Sequence, residues 1–295
     1  MMTNIKNHLV KFSNGWESYV NECMRLDNDS LNFYVTKHHE VYDTLINTIV
    51  PEMQGLVDER IYKVKGSVGQ STLTGIPWLS VMDRNITEST QEGFYISYLF
   101  SKNAKKLHLS IALGATQFEN LYGKNNKTTE KITKAKNQFV KNFERYSPAE
   151  SFEVMDLLDE KDTNFVREFS PNMVRIANYY EGGSFFTKTY DLENPNFEED
   201  DIRDDLNKYV DSYRRIANDP TSEVLLEVLD ESVFEDTDQK QESNLDSELP
   251  VFRPMIIGKE SKKDTKKKKG TSKPRKPSLP SKKVGDAGEK YVYKF

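Results

Sequence analysis

"GSVGQSTLTGIPWLSVMD", Gly66 to Asp83, passes from loop to strand within a few residues, and that change of period decides the fold. Gly66, Gly69 and Gly75, set among small hydroxyl residues, permit backbone conformations and close approaches that other residues resist. "IPWLSVM", Ile76 to Met82, is short, apolar and rich in β-branched and aromatic residues, as a strand is. Working outward, "RIYKVKGS" (Arg60 to Ser67) precedes it, and "GFYISYLF" (Gly93 to Phe100) and "KKLHLSIAL" (Lys105 to Leu113) follow. These read as four strands, three of them closely connected as an antiparallel meander, with "SKNAKK" a connection of hairpin length.

Beyond the strands the period becomes helical. Ile5, Leu9, Phe12, Trp16, Tyr19, Val20 and Cys23 recur at steps of three and four, the stripe of a helix facing a core. A second helix covers Val41, Tyr42, Leu45, Ile46 and Ile49, and Pro51 is expected to end it. Helical spacing returns at Ile132, Phe139, Val140 and Phe143, and again at Ile202, Leu206, Tyr209, Val210, Tyr213 and Ile216. Between those two, "GGSFFTKTY" (Gly182 to Tyr190) reads as a further strand entered through a glycine pair. The expectation is an α+β domain over residues 1–218, one mainly antiparallel twisted sheet covered by helices. A disordered acidic-then-basic linker over 219–283 follows, and 284–295 reads as the start of an incomplete C-terminal domain.

Charge distribution says more than its sum of −5. Lys259 to Lys283 holds twelve basic residues against two acidic, whereas Asp219 to Pro250 holds eleven acidic against one basic. These segments cancel, so the body is close to neutral and has room for a local basic surface. The single cysteine, Cys23, excludes an internal disulfide and a cysteine-rich zinc site and suits a reducing compartment. With neither a signal peptide nor a transmembrane span in evidence, the expected location is cytoplasmic, with no membrane partner.

Familiar catalytic patterns are missing. The sequence contains no Walker loop, no dinucleotide-binding glycine motif and no H-E-x-x-H. Adjacent His38 and His39 read as surface residues, and His108 as a solvent-face residue of a strand. Asp238-Gln239-Lys240 has the form of a nuclease motif but lies in the charged tail, without a strand to hold it. Glu160-Lys161 reads as a solvated loop and "FEEDDIRDD" as an acid-rich helix start. No catalytic residue, metal ligand or cofactor is therefore assigned in residues 1–218.

Strand parity isolates a candidate binding face. Tyr95, Ser97 and Leu99 share one side of their strand, while Phe94, Tyr98 and Phe100 point the other way. One face builds the core and the other is free to hold a partner. Lys63, Lys65, Lys102, Lys105 and Lys106 flank the strands, where they either meet phosphates or guard sheet edges against aggregation.

The order glycine-rich loop, "TGIPWLSVMD", spacer, "GFYISYLF", "KKLHLSIALG" resembles the N-terminal DNA-binding domain of McrB-type methyl-directed restriction proteins. The likeness covers residues 60–123 and extends loosely to Tyr179–Tyr190. It implies recognition of double-stranded DNA carrying a modified, methylated base, rotated out of the duplex into a pocket. By motif position Trp78, Tyr95 and Leu99 match pocket-lining residues, and Gly69, Gln70 and Ser71 the loop that meets the DNA. The family's best-known form carries an aromatic where this chain has Gln70, which makes Gln70 the position on which ligand identity turns.

That resemblance implies a specificity module of a restriction or phage-defence system, with cleavage supplied by a nuclease partner or a further C-terminal domain. Two alternatives stand beside it: a truncated modification-dependent endonuclease, and a protein-interaction module that has lost base recognition. "KKDTKKKKGTSKPRKP" reads either as a salt-sensitive nucleic-acid contact or as a solubilising linker. "VGDAGEKYVYKF" resembles the opening of the domain named for the plant protein NO VEIN, which would place Glu289 in a nuclease-like site.

Overall fold

The structure is a computed structural model that describes residues 4–27, 30–149, 152–159 and 170–222. Helix α1 (Ile5–Cys23) leads into a hairpin, β1 (Met24–Asp27) and β2 (Ser30–Phe33). A composite helix follows: α2 (Glu40–Asp43), a π-helical turn (Thr44–Ile49) and α3 (Val50–Gln54). Strands β3 (Tyr62–Gly69), β4 (Leu73–Asp83), β5 (Phe94–Phe100) and β6 (Lys106–Leu113) come next. Helices α4 (Ala115–Tyr122), α5 (Asn126–Phe143) and α6 (Pro171–Gly183), strand β7 (Ser184–Asp191) and helix α7 (Glu199–Ala217) complete the described chain.

The five long strands form one sheet in the order β3-β4-β5-β6-β7, antiparallel throughout. The α+β class and the meander are as the sequence indicates, and β7 joins the β6 edge after three intervening helices. One face of the sheet carries Phe94, Ile96, Tyr98 and Phe100 of β5 with Leu107, Leu109, Ile111 and Leu113 of β6, all buried in the main core. The Phe12 ring of α1 packs tilted, 4.6 Å from that of Phe100, and Phe139 of α5 and Tyr213 of α7 lie 5.5 and 5.3 Å from Phe94. Every apolar residue predicted for the α1 stripe is buried.

Buried polar groups fix how the helices sit on the sheet. The Tyr213 hydroxyl donates to the Phe94 carbonyl at 2.8 Å and accepts from the Asp83 N–H at 3.1 Å, tying α7 to two strands. The Glu199 carboxylate accepts from the free N–H groups of Ile5 and Lys6, so the start of α7 caps α1. The acidic run is a helix start as expected, with Glu198 and Asp201 forming a reciprocal capping box.

Two expectations need correction. Pro51 does not end the second helix, which continues to Gln54. The Val50 N–H bonds to the Leu45 carbonyl, five residues back, and this wider π turn lets the helix run on past a residue that has no N–H to give. His108 is not on the solvent face: it is 1 % exposed. At Gly66 the expected close approach is found, and it is to the protein's own core: a Cβ there would stand 2.7 Å from Val50 Cγ2 and 2.8 Å from Leu79 Cδ2.

The hairpin β1–β2 and helices α4 and α6 have no counterpart in the sequence reading. Asp219 to Ser222 continue the fold beyond α7, with Asp219 accepting from Arg145 and from the Tyr146 hydroxyl. Residues 223–295, and with them the readings of the charged tail and of Glu289, lie outside the described residues, as does Glu160-Lys161.

Candidate functional site

The second face of the sheet is unlike the first. Alternation along each strand places Ile76, Trp78 and Ser80 of β4, Tyr95, Ser97 and Leu99 of β5, and His108, Ser110 and Ala112 of β6 on this side. The cross-strand register aligns them in rows. Trp78 stands opposite Leu99, and Leu99 opposite His108; one step along the strands, Ser80 faces Ser97 and Ser97 faces Ser110. Tyr95 faces Ala112, which faces Ser184 of β7.

Helix α6 and residues 152–159 cover only part of this face. Ser170 caps α6, with Pro171 at its first turn. Ala177 and Tyr180 of that helix pack toward Ile76, Trp78 and Leu99, together with Met155 and Leu157. Residues 152–159 are held down by backbone bonds from Lys102 N–H to the Leu157 carbonyl and from Glu153 N–H to the Thr187 carbonyl. Asp159 adds side-chain bonds from Asn103 at 2.9 Å and Lys106 at 3.2 Å. His108 belongs to the same support: one ring nitrogen meets the Asp156 carbonyl, which only accepts, so Nε2 carries the proton and Nδ1 accepts from Thr189. Burial holds its pKa down at about 4, and it is neutral at physiological pH.

Between α6 and the strands a recess remains open. Trp78, Tyr95, Leu99 and Tyr180 form its apolar walls, with Ser80, Ser97 and Ser184 among its polar lining. The enclosed cavity is small, about 30 Å³, and only with the open solvent at its mouth does the space reach about 380 Å³, so a larger guest needs its walls to move apart. The Tyr95 hydroxyl donates to the Thr90 carbonyl at 2.9 Å, which anchors that ring at one end. Burial pushes the Tyr95 and Tyr180 phenols up, so both are protonated hydrogen-bonding groups at neutral pH. Trp78 is only half-buried, and among the described residues its indole N–H has no partner.

Trp78, Tyr95 and Leu99 are thus brought together. Gly69, Gln70 and Ser71 are not among the recess lining. They form the turn joining β3 to β4, at the end of the sheet beyond Trp78. Gly69 adopts φ +111°, and Gln70 and Ser71 are exposed. The Ser71 carbonyl accepts from the Val35 N–H, so this turn is braced by the chain leaving the β1–β2 hairpin.

The lysines divide between ends of the sheet. Lys63 pairs with the Glu88 carboxylate at 2.5 Å and Lys65 donates to the Glu88 carbonyl at 2.9 Å, both on edge strand β3. Lys65 is in register with Ser80, beside the recess. Lys102 and Lys105 lie in the β5–β6 hairpin turn, where Lys105 pairs with Glu193 at 3.0 Å and Lys106 turns inward to Asp159.

Sequence reasoning singled out the aromatic positions and passed over Ser80, Ser184 and Tyr180. Parity would have found Ser80, two residues from Trp78, whereas Tyr180 arrives from a helix about a hundred residues further along. Among the described residues no cluster of three His, Cys, Asp or Glu side chains could hold a metal ion, and no helix is long and apolar enough to cross a membrane. A family model for the MrcB-like N-terminal domain matches residues 27–218. No curated protein and no solved structure matches the chain.

Proposed function

We propose that this chain, which belongs to the MrcB-like N-terminal domain family, is a DNA-reading module of a restriction or phage-defence system. In this reading it recognises a modified, methylated base by taking it out of the duplex. The observation that carries the reading is the recess that gathers the half-buried Trp78 with Tyr95, Leu99 and Tyr180.

Extruding a base costs a few kcal/mol of lost stacking and pairing, and the pocket must return it. A base on an aromatic ring recovers about 1–3 kcal/mol. Three aromatic walls and one leucine offset the extrusion cost only if the ring slides between them, so Trp78, a half-buried wall, moves as the base enters. Gln70 and Ser71, exposed beyond the Trp78 end of the sheet, reach toward the duplex and fill the gap or read a base edge. Lys65 and Lys105 supply backbone attraction after exchanging Glu88 and Glu193 for phosphate. Strand cleavage falls to a nuclease partner.

The test is binding of the full chain to matched duplexes bearing unmodified cytosine, methylcytosine, hydroxymethylcytosine or methyladenine, at two salt concentrations. A fluorescent base analogue beside the site reports unstacking. A preference for one modified duplex of tenfold or more, with analogue brightening, supports the reading. Equal affinity for all four duplexes removes it, and absence of DNA binding favours a protein-interaction module.

A further inference from the structure

Ser80 and Ser184 line the recess, are 1 and 6 % exposed, and have hydroxyls with no hydrogen-bond partner among the described residues. Ser110, fully buried in the same cross-strand row, is also unpartnered. Ser97 lies between Ser80 and Ser110, 3 % exposed and facing the recess. Buried hydroxyls are ordinarily paired, and one left alone costs about 1–3 kcal/mol. The remaining unpartnered buried side-chain atoms, on Tyr98, Arg175 and Ser212, are not part of the recess lining. Alanine would fill these serine positions at no such cost, so the hydroxyls call for a ligand that uses them.

We infer that Ser80, Ser97 and Ser184 form a hydrogen-bonding floor that takes the polar edge of a planar nucleobase whose faces lie against Trp78, Tyr95 and Tyr180. This rests on the reading that the recess receives a base. A serine hydroxyl both donates and accepts, and rotates to suit. A row of them satisfies the amino group, ring nitrogen and carbonyl of a base edge, which an apolar aromatic ring could not use. The aromatic walls then provide affinity common to all bases, and the serines set which base is kept. Ser80 and Ser97 are a directly opposed cross-strand pair, so their Cβ atoms stand roughly 5 Å apart, a spacing suited to adjacent groups on one ring edge.

The variants are S80A, S184A and the double variant, in the full chain. Each is expected to melt at or above the wild-type temperature, because an unpaired hydroxyl is removed. Affinity for the preferred modified duplex should fall roughly 3- to 10-fold for each serine, with affinity for unmodified duplex unchanged. Unchanged affinity for the modified duplex, or an equal loss on both duplexes, overturns the floor. If wild type prefers no modified duplex, the base-extrusion reading fails, and the floor is judged separately by titrating millimolar deoxycytidine while following the Trp78 indole signal by NMR. Shifts in wild type that vanish in the double variant uphold the floor; no shift in wild type, or the same shift in both, overturns it.

Discussion

Trp78 and Leu99 stand directly opposite one another across the β4–β5 pair, and both line the recess that Tyr95 closes at its other end. The register sets this meeting: a slip of one residue would send Trp78 into the core and leave Leu79 outside. Trp78→Ala should lower affinity for the preferred modified duplex roughly tenfold or more, the loss of one stacking wall. The same variant should melt within several degrees of wild type, because Trp78 is half-buried and packs against the small cluster around Ile76 and Leu157 and not against the main core. A calorimetric scan beside the binding titration separates the two effects.

Lys65 tests whether the edge of the sheet meets phosphate. If it does, Lys65→Ala weakens binding to modified and unmodified duplexes alike and reduces the slope of log affinity against log salt by about one. A slope unchanged by the substitution would leave Lys65 as edge protection, held by the Glu88 carbonyl.

At Gly69 the constraint is local. With φ at +111°, an added Cβ would lie 2.1 Å from the Thr72 carbonyl oxygen, so Gly69→Ala strains the β3–β4 turn. The expected cost is about 1–3 kcal/mol. Thermal unfolding should fall by about 2–4 °C for each kcal/mol in a domain of this size.

His108 gives the fold a signature in pH. Its folded-state pKa is lowered to about 4 by burial, against about 6.5 in the unfolded chain. Between those values the unfolded state binds the extra proton, so its contribution to stability is fully present above pH 6.5 and is lost progressively as pH falls to about 4. Denaturant titrations across that window should show the decline, and a His108→Gln variant should flatten it. An identical pH profile in the variant would remove His108 as the cause.

Much of this was legible in the chain. Period-two alternation in "GFYISYLF" separated Phe94, Tyr98 and Phe100 from Tyr95, Ser97 and Leu99, and the two sets occupy opposite faces. The α1 stripe was equally clear, because a helix that buries one side must repeat at three and four. Pro51 misled because its effect was judged against a preceding α-turn, and the turn ahead of it, Thr44–Ile49, is a π turn. His108 misled because its exposure depends on residues 152–159, which cross over it and which carry no periodic signal. Gly69 to Ser71 fell in a loop as read, yet the turn lies apart from the recess lining, and spacing along a strand does not show which side chains converge.

The sequence by itself determined the strands of the five-stranded sheet, the faces of β5, the α1 and α7 stripes and the family, because alternation and motif order are written residue by residue. Tertiary structure alone decided that Tyr180 walls the recess, that His108 is buried and neutral, and that Ser80 and Ser184 have no partners among the described residues. Those properties arise where β4, β5, β7 and α6 meet, and burial and hydrogen bonding are set by neighbours distant in the chain.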